Sequence, residues 1–415
     1  MNPASAAAEQ RRPERLRAGL ERLDAAALLV VAASPRDPDL APWVGASRIG
    51  EAFLVVARGA APRLGYWTPM ERDEAASTGL DLLSPELLGV ARLVQAHGEP
   101  GALLAAVLAA ALDQCGIAPG RLAIAGCWPA GALVEATTEL ARRGWSFVSG
   151  AELLRGLRKR KEPHELLEMR RVAATTGATQ RAIAAILAAA RADANGELWA
   201  EGRRLTVDRL KREAALGFAA AGLDQPRACI VAPGEEGGVP HTGGSGDRVL
   251  RAGESLVVDL FPRGRLYADC TRTFCVGSAP EALLRAHGDV REALSRAYAL
   301  LAPGISGWSL QEEVCALLAA RGWPTPISQP GAVRGYVHNL GHGVGYELHE
   351  QPSFRQQARA EEGRIEVGDV LTLEPGLYEP GESGFGVRLE DMVAVGSDEV
   401  ENLTPLPYEL DPRAW

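Results

Sequence analysis

The side chains in this sequence best suited to chemistry begin with two aspartates set in neighbouring apolar runs. Leu256-Val257-Val258-Asp259-Leu260-Phe261 and Leu266-Tyr267-Ala268-Asp269, continuing to Phe274, flank Pro262-Arg263-Gly264-Arg265. A hairpin centred on Gly264 pairs position 259 with position 269 and sets the two carboxylates opposite each other, with Cβ atoms roughly 4.5–5.5 Å apart. Like charges placed that way weaken a hairpin. Asp259 also lies within an apolar strand, where an unpaired charge is costly. A positive group should therefore sit between them. Arg272 is an organic candidate, but its odd spacing from Asp269 turns it to the other face of a regular strand. A bound cation suits the position better. The bland alternative is a surface hairpin with two solvated aspartates.

A second stretch, His338-Asn-Leu-Gly341-His342-Gly343-Val-Gly345-Tyr-Glu-Leu-His349-Glu350, holds three of the seven histidines. Its alternating glycines disfavour a helix and permit close backbone approach. On a regular strand His342 and His349 face opposite ways, so a bulge at the glycines is needed to bring both to one site. Neutral imidazole serves as a metal ligand and as a general acid or base near neutral pH. Further along, Glu374 closes an apolar run before Pro375-Gly376, and Gly386-Val-Arg388-Leu-Glu390-Asp391 puts Arg388 and Glu390 on one face and Asp391 on the other. Alone, a glutamate beside an arginine is usually a salt bridge.

The elements that must carry these residues change character along the chain. Residues 1–17 are polar and read as a flexible tail. Residues 18–157 alternate strand and helix: Ala26–Ala33, Glu51–Ala57 and Arg121–Ala125 are strand-like, while Leu103–Cys115 and Ala130–Arg143 are helical. That is the pattern of a small α/β domain. Trp43 and Trp67 could line a pocket there, although a tryptophan is more often core. The charged segment Leu157–His164 is the linker candidate, with Pro163 able to open a following helix. Residues 158–415 begin with helices over Glu165–Arg191 and Glu197–Ala219. Strand-like runs follow at Cys229–Ala232, Leu256–Phe261, Leu266–Val276, Val370–Tyr378 and Val387–Val395. Two helices, near Glu281–Leu301 and Leu310–Arg321, interrupt them. The class is α+β on a mostly antiparallel sheet.

Composition bounds the function. The chain has 415 residues, 47% hydrophobic and 23% charged, with a net charge of −9. These values suit a folded globular protein, and the acidic balance argues against nucleic-acid binding. The apolar stretch Gly101–Leu112 is too short to span a bilayer, and the N-terminus lacks the apolar core of a signal peptide. None of the six cysteines forms a C-x-x-C pair. Reduced thiols and a cytoplasmic location are the expectation. Lysine occurs only at positions 159, 161 and 211, a bias explained by codon usage. His97, His164 and His287 read as surface or helix-end residues, and Cys270 should point away from Asp269.

Taken in order, Asp259, Asp269, His342, Glu374 and Glu390 resemble the ligand set of the pita-bread metallopeptidases, the family of prolidases, aminopeptidases P and methionine aminopeptidases. The motifs that carry the likeness are VVDLF and YADCTRTF, HNLGHGVGYELHE, LTLEPGLY and GVRLED, with Val239-Pro240-His241 upstream. The two-part layout is most similar to Xaa-Pro dipeptidase and aminopeptidase P. The resemblance implies a C-terminal pita-bread domain behind a smaller creatinase-like α/β domain, and a homodimer. Asp259 would chelate one metal, Asp269 and Glu390 would bridge two, and His342 and Glu374 would complete the second site. His241, His338 and His349 would line the substrate pocket, with His349 as proton shuttle or carbonyl-polarising group. Arg388 would orient the carboxylates. Phe261 stands where the family often has glycine, and the loop between the two aspartates is short.

An oxygen-rich site of four carboxylates and one imidazole suits two divalent cations, manganese first, with cobalt, zinc or iron as alternatives. Two cations roughly 3.5–4 Å apart hold a hydroxide nucleophile at neutral pH, and Glu374 is placed to act as general base. The implied activity is hydrolysis of N-terminal peptide bonds, at Xaa-Pro, on a peptide or small amide substrate. Two other readings remain open: a creatinase-like, metal-independent C–N hydrolase, and a non-catalytic binding module on the same fold.

Overall fold

The run Ala27–Ala32 is apolar at every position because both faces of its sheet are covered. Ala27, Leu29 and Val31 join one buried cluster, and Leu28, Val30 and Ala32 join another. A computed structural model describes residues 3–356 and 360–415. The chain divides into two compact units, Met1–Arg158 and Lys159–Trp415. In the first, six strands form a mixed sheet. Ala27–Ala32 sits inside it, antiparallel to Ala52–Ala57 and parallel to Arg121–Ala125. Helices Pro100–Gln114 and Ala130–Arg142 follow the sequence reading. Trp67 stacks on Trp128 with ring centroids 5.8 Å apart, and both pack against the core.

The first unit corrects one expectation. Residues 3–17 of the segment read as a flexible tail belong to the helix Pro3–Arg22, and residues 1–2 lie outside the described residues. Leu16 and Leu20, four apart on one helical face, are buried in the core, and that anchorage outweighs the polar composition around them.

Strand pairing in the second unit is antiparallel throughout the described residues. One sheet runs Ile230–Pro233, Leu256–Leu260, Cys270–Phe274, and a five-stranded sheet contains His342–Gly343, Val370–Leu373 and Asp391–Val395. The long helix Pro163–Ala189 lies against the first of these. Its buried Gln180 donates to the carbonyls of Val258 and Cys270, at 3.0 and 3.1 Å. Helices Glu281–Leu300 and Gly307–Ala320 share one apolar cluster with the strands of the five-stranded sheet. Among the described residues, no helix is long and apolar enough to cross a membrane.

Several boundaries differ from the sequence reading. The helix expected from Glu197 begins at Val207. Gly196 and Gly202, with φ of +78° and +73°, turn the preceding residues into short strands instead, and Thr206 caps the helix start by accepting from the Arg209 N–H. The proposed linker is partly helix Ala151–Lys159. Arg158 pairs with Asp39 within the first unit, and the next three charges pair within the second, Lys159 to Glu366 and Asp369, Arg160 to Glu366, and Lys161 to Glu350. His287 is not a surface residue; it lies mid-helix, buried, with Nε2 2.7 Å from the Tyr408 carbonyl.

Candidate metal centre

The hairpin is centred one residue later than expected. Asp259 pairs with Thr271 and Leu260 with Cys270, and the Ala268 N–H donates to the Pro262 carbonyl at 3.1 Å. Glu168 of the long helix fixes the turn by accepting from the Arg265 N–H at 3.0 Å. A Cβ on Gly264 would come within 2.4 Å of the same carboxylate, so the glycine is needed for this approach. The two aspartates therefore share a face but lie diagonally, with a threonine rather than a second charge opposite Asp259. Cys270 turns away as expected, its Sγ 3.5 Å from the Glu390 carbonyl. Arg272 shares that face and is fully buried against Asp391 at 2.6 Å.

The other candidate ligands stand at strand ends. His342 opens a two-residue strand whose register shifts between His342 and Gly343. The chain then turns, bringing the His342 and His349 rings to 4.2 Å between centroids. Glu374 follows Val370–Leu373, and Glu390 precedes Asp391–Val395. Glu374-Pro375 splits the run read as one strand, and a second strand resumes at Gly376. His342 Nε2 lies 3.2 Å from Glu374 Oε1 and 3.7 Å from Asp269 Oδ2. Asp269, His342 and Glu390 offer ligand atoms all within 4.8 Å of one another.

This grouping is electrostatically costly without a counter-charge. Burial first, then Glu390, Asp259 and Glu374, push the pKa of Asp269 well above the usual carboxylate range. Burial first, then Glu374 and Asp259, do the same to Glu390. Burial also works against Glu374, but the hydrogen bond from His342, the neighbouring His338 and the charge of Arg388 hold it at about 2. Oδ1 of Asp259 and Oδ1 of Asp269 are buried with no hydrogen-bond partner. Each such oxygen costs about 1–3 kcal/mol unless something satisfies it. Divalent cations fit this donor set: oxygen-rich, with one imidazole, and short of positive charge.

Arg388 ties the carboxylates to the rest of the site. Nη2 lies 2.5 Å from Asp259 Oδ2. Nε donates to Thr271 Oγ1 at 3.1 Å, and Nη1 to the Tyr378 hydroxyl at 2.9 Å and the Pro240 carbonyl at 3.3 Å. Thr271 in turn donates to Glu390 Oε2 at 2.7 Å, and Thr372 donates to Glu374 Oε1 at 3.2 Å. Neither threonine nor Tyr378 stood out in the sequence. Hydroxyls and aromatics in strands look like ordinary β-formers, and the one signal for Tyr378 is its place in the LEPGLY motif.

His338 Nδ1 lies 2.7 Å from the Asn339 carbonyl, which only accepts, so Nδ1 carries the proton. Nε2 then accepts from Tyr378 at 2.9 Å. Burial lowers the His338 pKa and favours this neutral form. His349 is exposed on one side; partial withdrawal from water, then His342, push it down to about 4. His241 is exposed and follows Pro240, whose carbonyl Arg388 holds. His241 lies near enough to His338 and His349 to add to the lowering of their pKa values that burial begins.

An antiparallel fold with carboxylates and imidazoles gathered at its strand ends, behind a separate α/β unit, is the pita-bread architecture. Residues 165–397, more than half of the chain, match the model of metallopeptidase family M24, and the chain belongs to that family. It is 28% identical over 268 residues to the probable dipeptidase PepE of Mycobacterium tuberculosis, a match covering 63% of each protein. It is 34% identical over 185 residues to the Xaa-Pro dipeptidase of Pyrococcus furiosus, covering 44% of this chain and 48% of that one. The chain thus spans about two thirds or less of the length of these relatives. Among solved structures, the prolidase of Pyrococcus horikoshii superposes with a TM-score of 0.73 at 22% identity, over 96% of this chain and 99% of that one. The X-Pro aminopeptidase of Thermotoga maritima gives 0.72 at 20% identity, over 94% and 98%. At these identities the structural likeness speaks for the fold.

Proposed function

We propose that the chain is a metal-dependent peptidase that cleaves N-terminal Xaa-Pro bonds, as a dipeptidase or an aminopeptidase. The observation that carries this reading is the buried meeting of Asp269, His342 and Glu390 with Asp259 and Glu374, which leaves two carboxylate oxygens without partners. In this reading those five residues hold two divalent cations, manganese first. When bound, the cations supply Lewis acidity that makes a water molecule nucleophilic at neutral pH.

The chain's own groups do the rest. Glu374, ionised at neutral pH, accepts a proton from water through a carboxylate oxygen. His349, exposed on one side and packed on His342, donates a hydrogen bond to the oxygen of the scissile carbonyl. His338 is fixed in one tautomer by Asn339 and Tyr378, and with His241 it lines the pocket wall. Arg388 holds Asp259 in place. The names of the relatives support the Xaa-Pro assignment.

A panel of Xaa-Pro dipeptides, Xaa-Pro-Yaa tripeptides and methionyl peptides, each with manganese-loaded and chelator-treated protein, tests the reading. Release of the N-terminal residue from Xaa-Pro substrates alone supports it. Turnover of methionyl peptides in preference to Xaa-Pro peptides overturns the substrate assignment.

A further inference from the structure

We propose that Arg227 is a specificity residue of the substrate pocket and binds a substrate carboxylate, either the C-terminal carboxylate of a dipeptide or the side chain of an acidic residue. The inference rests on the peptidase reading above. Asp224 and Arg263 exchange two backbone hydrogen bonds, at 2.8 and 2.9 Å, while Ile230 pairs with Asp259. Between these fixed points residues 225–229 face only residues 260–262, so the longer segment must bulge. Pro226, Arg227 and Ala228 are its exposed part. The bulge therefore stands beside the strand that presents Asp259.

The same hairpin is tied to the histidine segment, because the Tyr267 N–H donates to the Gly345 carbonyl at 2.8 Å. That segment ends in His349, whose pKa is lowered by burial and His342 first and by the nearby Arg227 after them. Three other basic side chains at the centre are committed, Arg388 to Asp259, Arg272 to Asp391 and Lys161 to Glu350, and Arg263 stacks on Tyr267. Arg227 makes no hydrogen bond or ion pair among the described residues. With the acidic side chains of the centre given over to metal, a substrate carboxylate needs a cationic partner of its own at the rim. A guanidinium at the rim supplies that charge and a planar fork that matches a carboxylate with two parallel hydrogen bonds.

The test compares wild type, R227A and R227K on Ala-Pro, Ala-Pro-amide and Glu-Pro-amide, reading kcat and KM separately on manganese-loaded protein. Dissociation constants of the same peptides are measured by calorimetry on the full-length chain freed of metal. R227A should raise KM at least about tenfold for a carboxylate-bearing substrate, with kcat and the Ala-Pro-amide KM within about twofold, and R227K should recover part of the loss. A loss on Ala-Pro alone assigns the terminal carboxylate, and a loss on Glu-Pro-amide alone assigns the side chain. Equal effects on charged and neutral peptides, or no effect on either in kinetics and calorimetry, overturn the proposal. A wild type that cleaves none of the peptides, yet binds the charged ones in an Arg227-dependent way, sinks the peptidase reading and leaves Arg227 as a carboxylate-binding residue.

Discussion

Asp259 and Arg388 are in direct contact, Nη2 to Oδ2 at 2.5 Å, while the other oxygen of Asp259 has no hydrogen-bond partner. The guanidinium thus takes one edge of the carboxylate and leaves the other for a cation. Lysine has the charge but not the fork, and its three donors cannot serve Asp259, Thr271, Tyr378 and the Pro240 carbonyl at once. R388K should therefore lower manganese affinity or activity by about 10- to 100-fold, the usual cost of losing a contact that orients a ligand. Titration of manganese into metal-free protein, paired with turnover, checks this; unchanged affinity and unchanged turnover would show the contact to be incidental.

Thr271 links the Asp259–Arg388 pair to Glu390, since it receives a hydrogen bond from Arg388 and gives one to Glu390. T271V keeps the shape and the β-propensity but removes both bonds. The expected outcome is a loss of manganese affinity within the same 10- to 100-fold range, with a melting temperature close to wild type in the metal-loaded state.

Y378F probes the opposite side of Arg388. The hydroxyl receives from Arg388 and donates to His338 Nε2. Its removal leaves a buried ring nitrogen unpaired, at a cost of about 1–3 kcal/mol. Turnover should fall roughly tenfold or more, with manganese stoichiometry unchanged. Parallel loss of metal and turnover would place Tyr378 with the ligands instead.

What the sequence disclosed, and what it did not, follows from the range of the forces involved. Asp259, Asp269, His342, Glu374 and Glu390 stand in short motifs with apolar neighbours, and their strands are local features that periodicity reveals. The hairpin register was hidden because two centres, Gly264 and Arg265, both keep the aspartates on one face. The choice between them is made by Glu168, distant in sequence, against the turn. Thr271 and Thr372 carry no site signal because their types are what any strand would carry, and Tyr378 shows only through the LEPGLY motif. The histidine bulge was only a requirement of the chemistry until the shifted register supplied it. The burial of His287 is not legible locally because its partner, the Tyr408 carbonyl, comes from a remote segment.

Lys161 and Glu350 form an ion pair almost wholly removed from water, Nζ to Oε1 at 2.5 Å, with side chains 1% and 2% exposed. Removing one partner strands the other charge, so K161M should destabilise the protein by about 3–5 kcal/mol. Because Glu350 follows His349, turnover should fall as well. The double variant K161M/E350L should recover most of the stability, measured by chemical denaturation. A single variant as stable as wild type would contradict the buried pairing.

Glu366 gives a prediction in pH. Burial raises its pKa, but hydrogen bonds from Arg160 and Lys159 and their charges outweigh this and hold it at about 2, against 4.5 for the free group. A carboxylate depressed by folding stabilises the protein above its unfolded pKa, and that contribution is lost as pH falls through the folded value. E366Q should therefore lower the melting temperature at pH 7. The gap from wild type should narrow steadily between about pH 4.5 and pH 2. A gap that stays constant across that window would assign the effect to something other than the charge.

The central claim is that buried carboxylates and His342 form a metal centre that does the chemistry. The most direct measurement is Ala-Pro hydrolysis by the purified full-length protein, with elemental analysis, before chelation, after chelation and after manganese is restored. The expected result is activity that disappears with the metal and returns with it, and that D269N lacks in all three states. Hydrolysis that survives chelation, in protein shown to hold no transition metal, would contradict the claim.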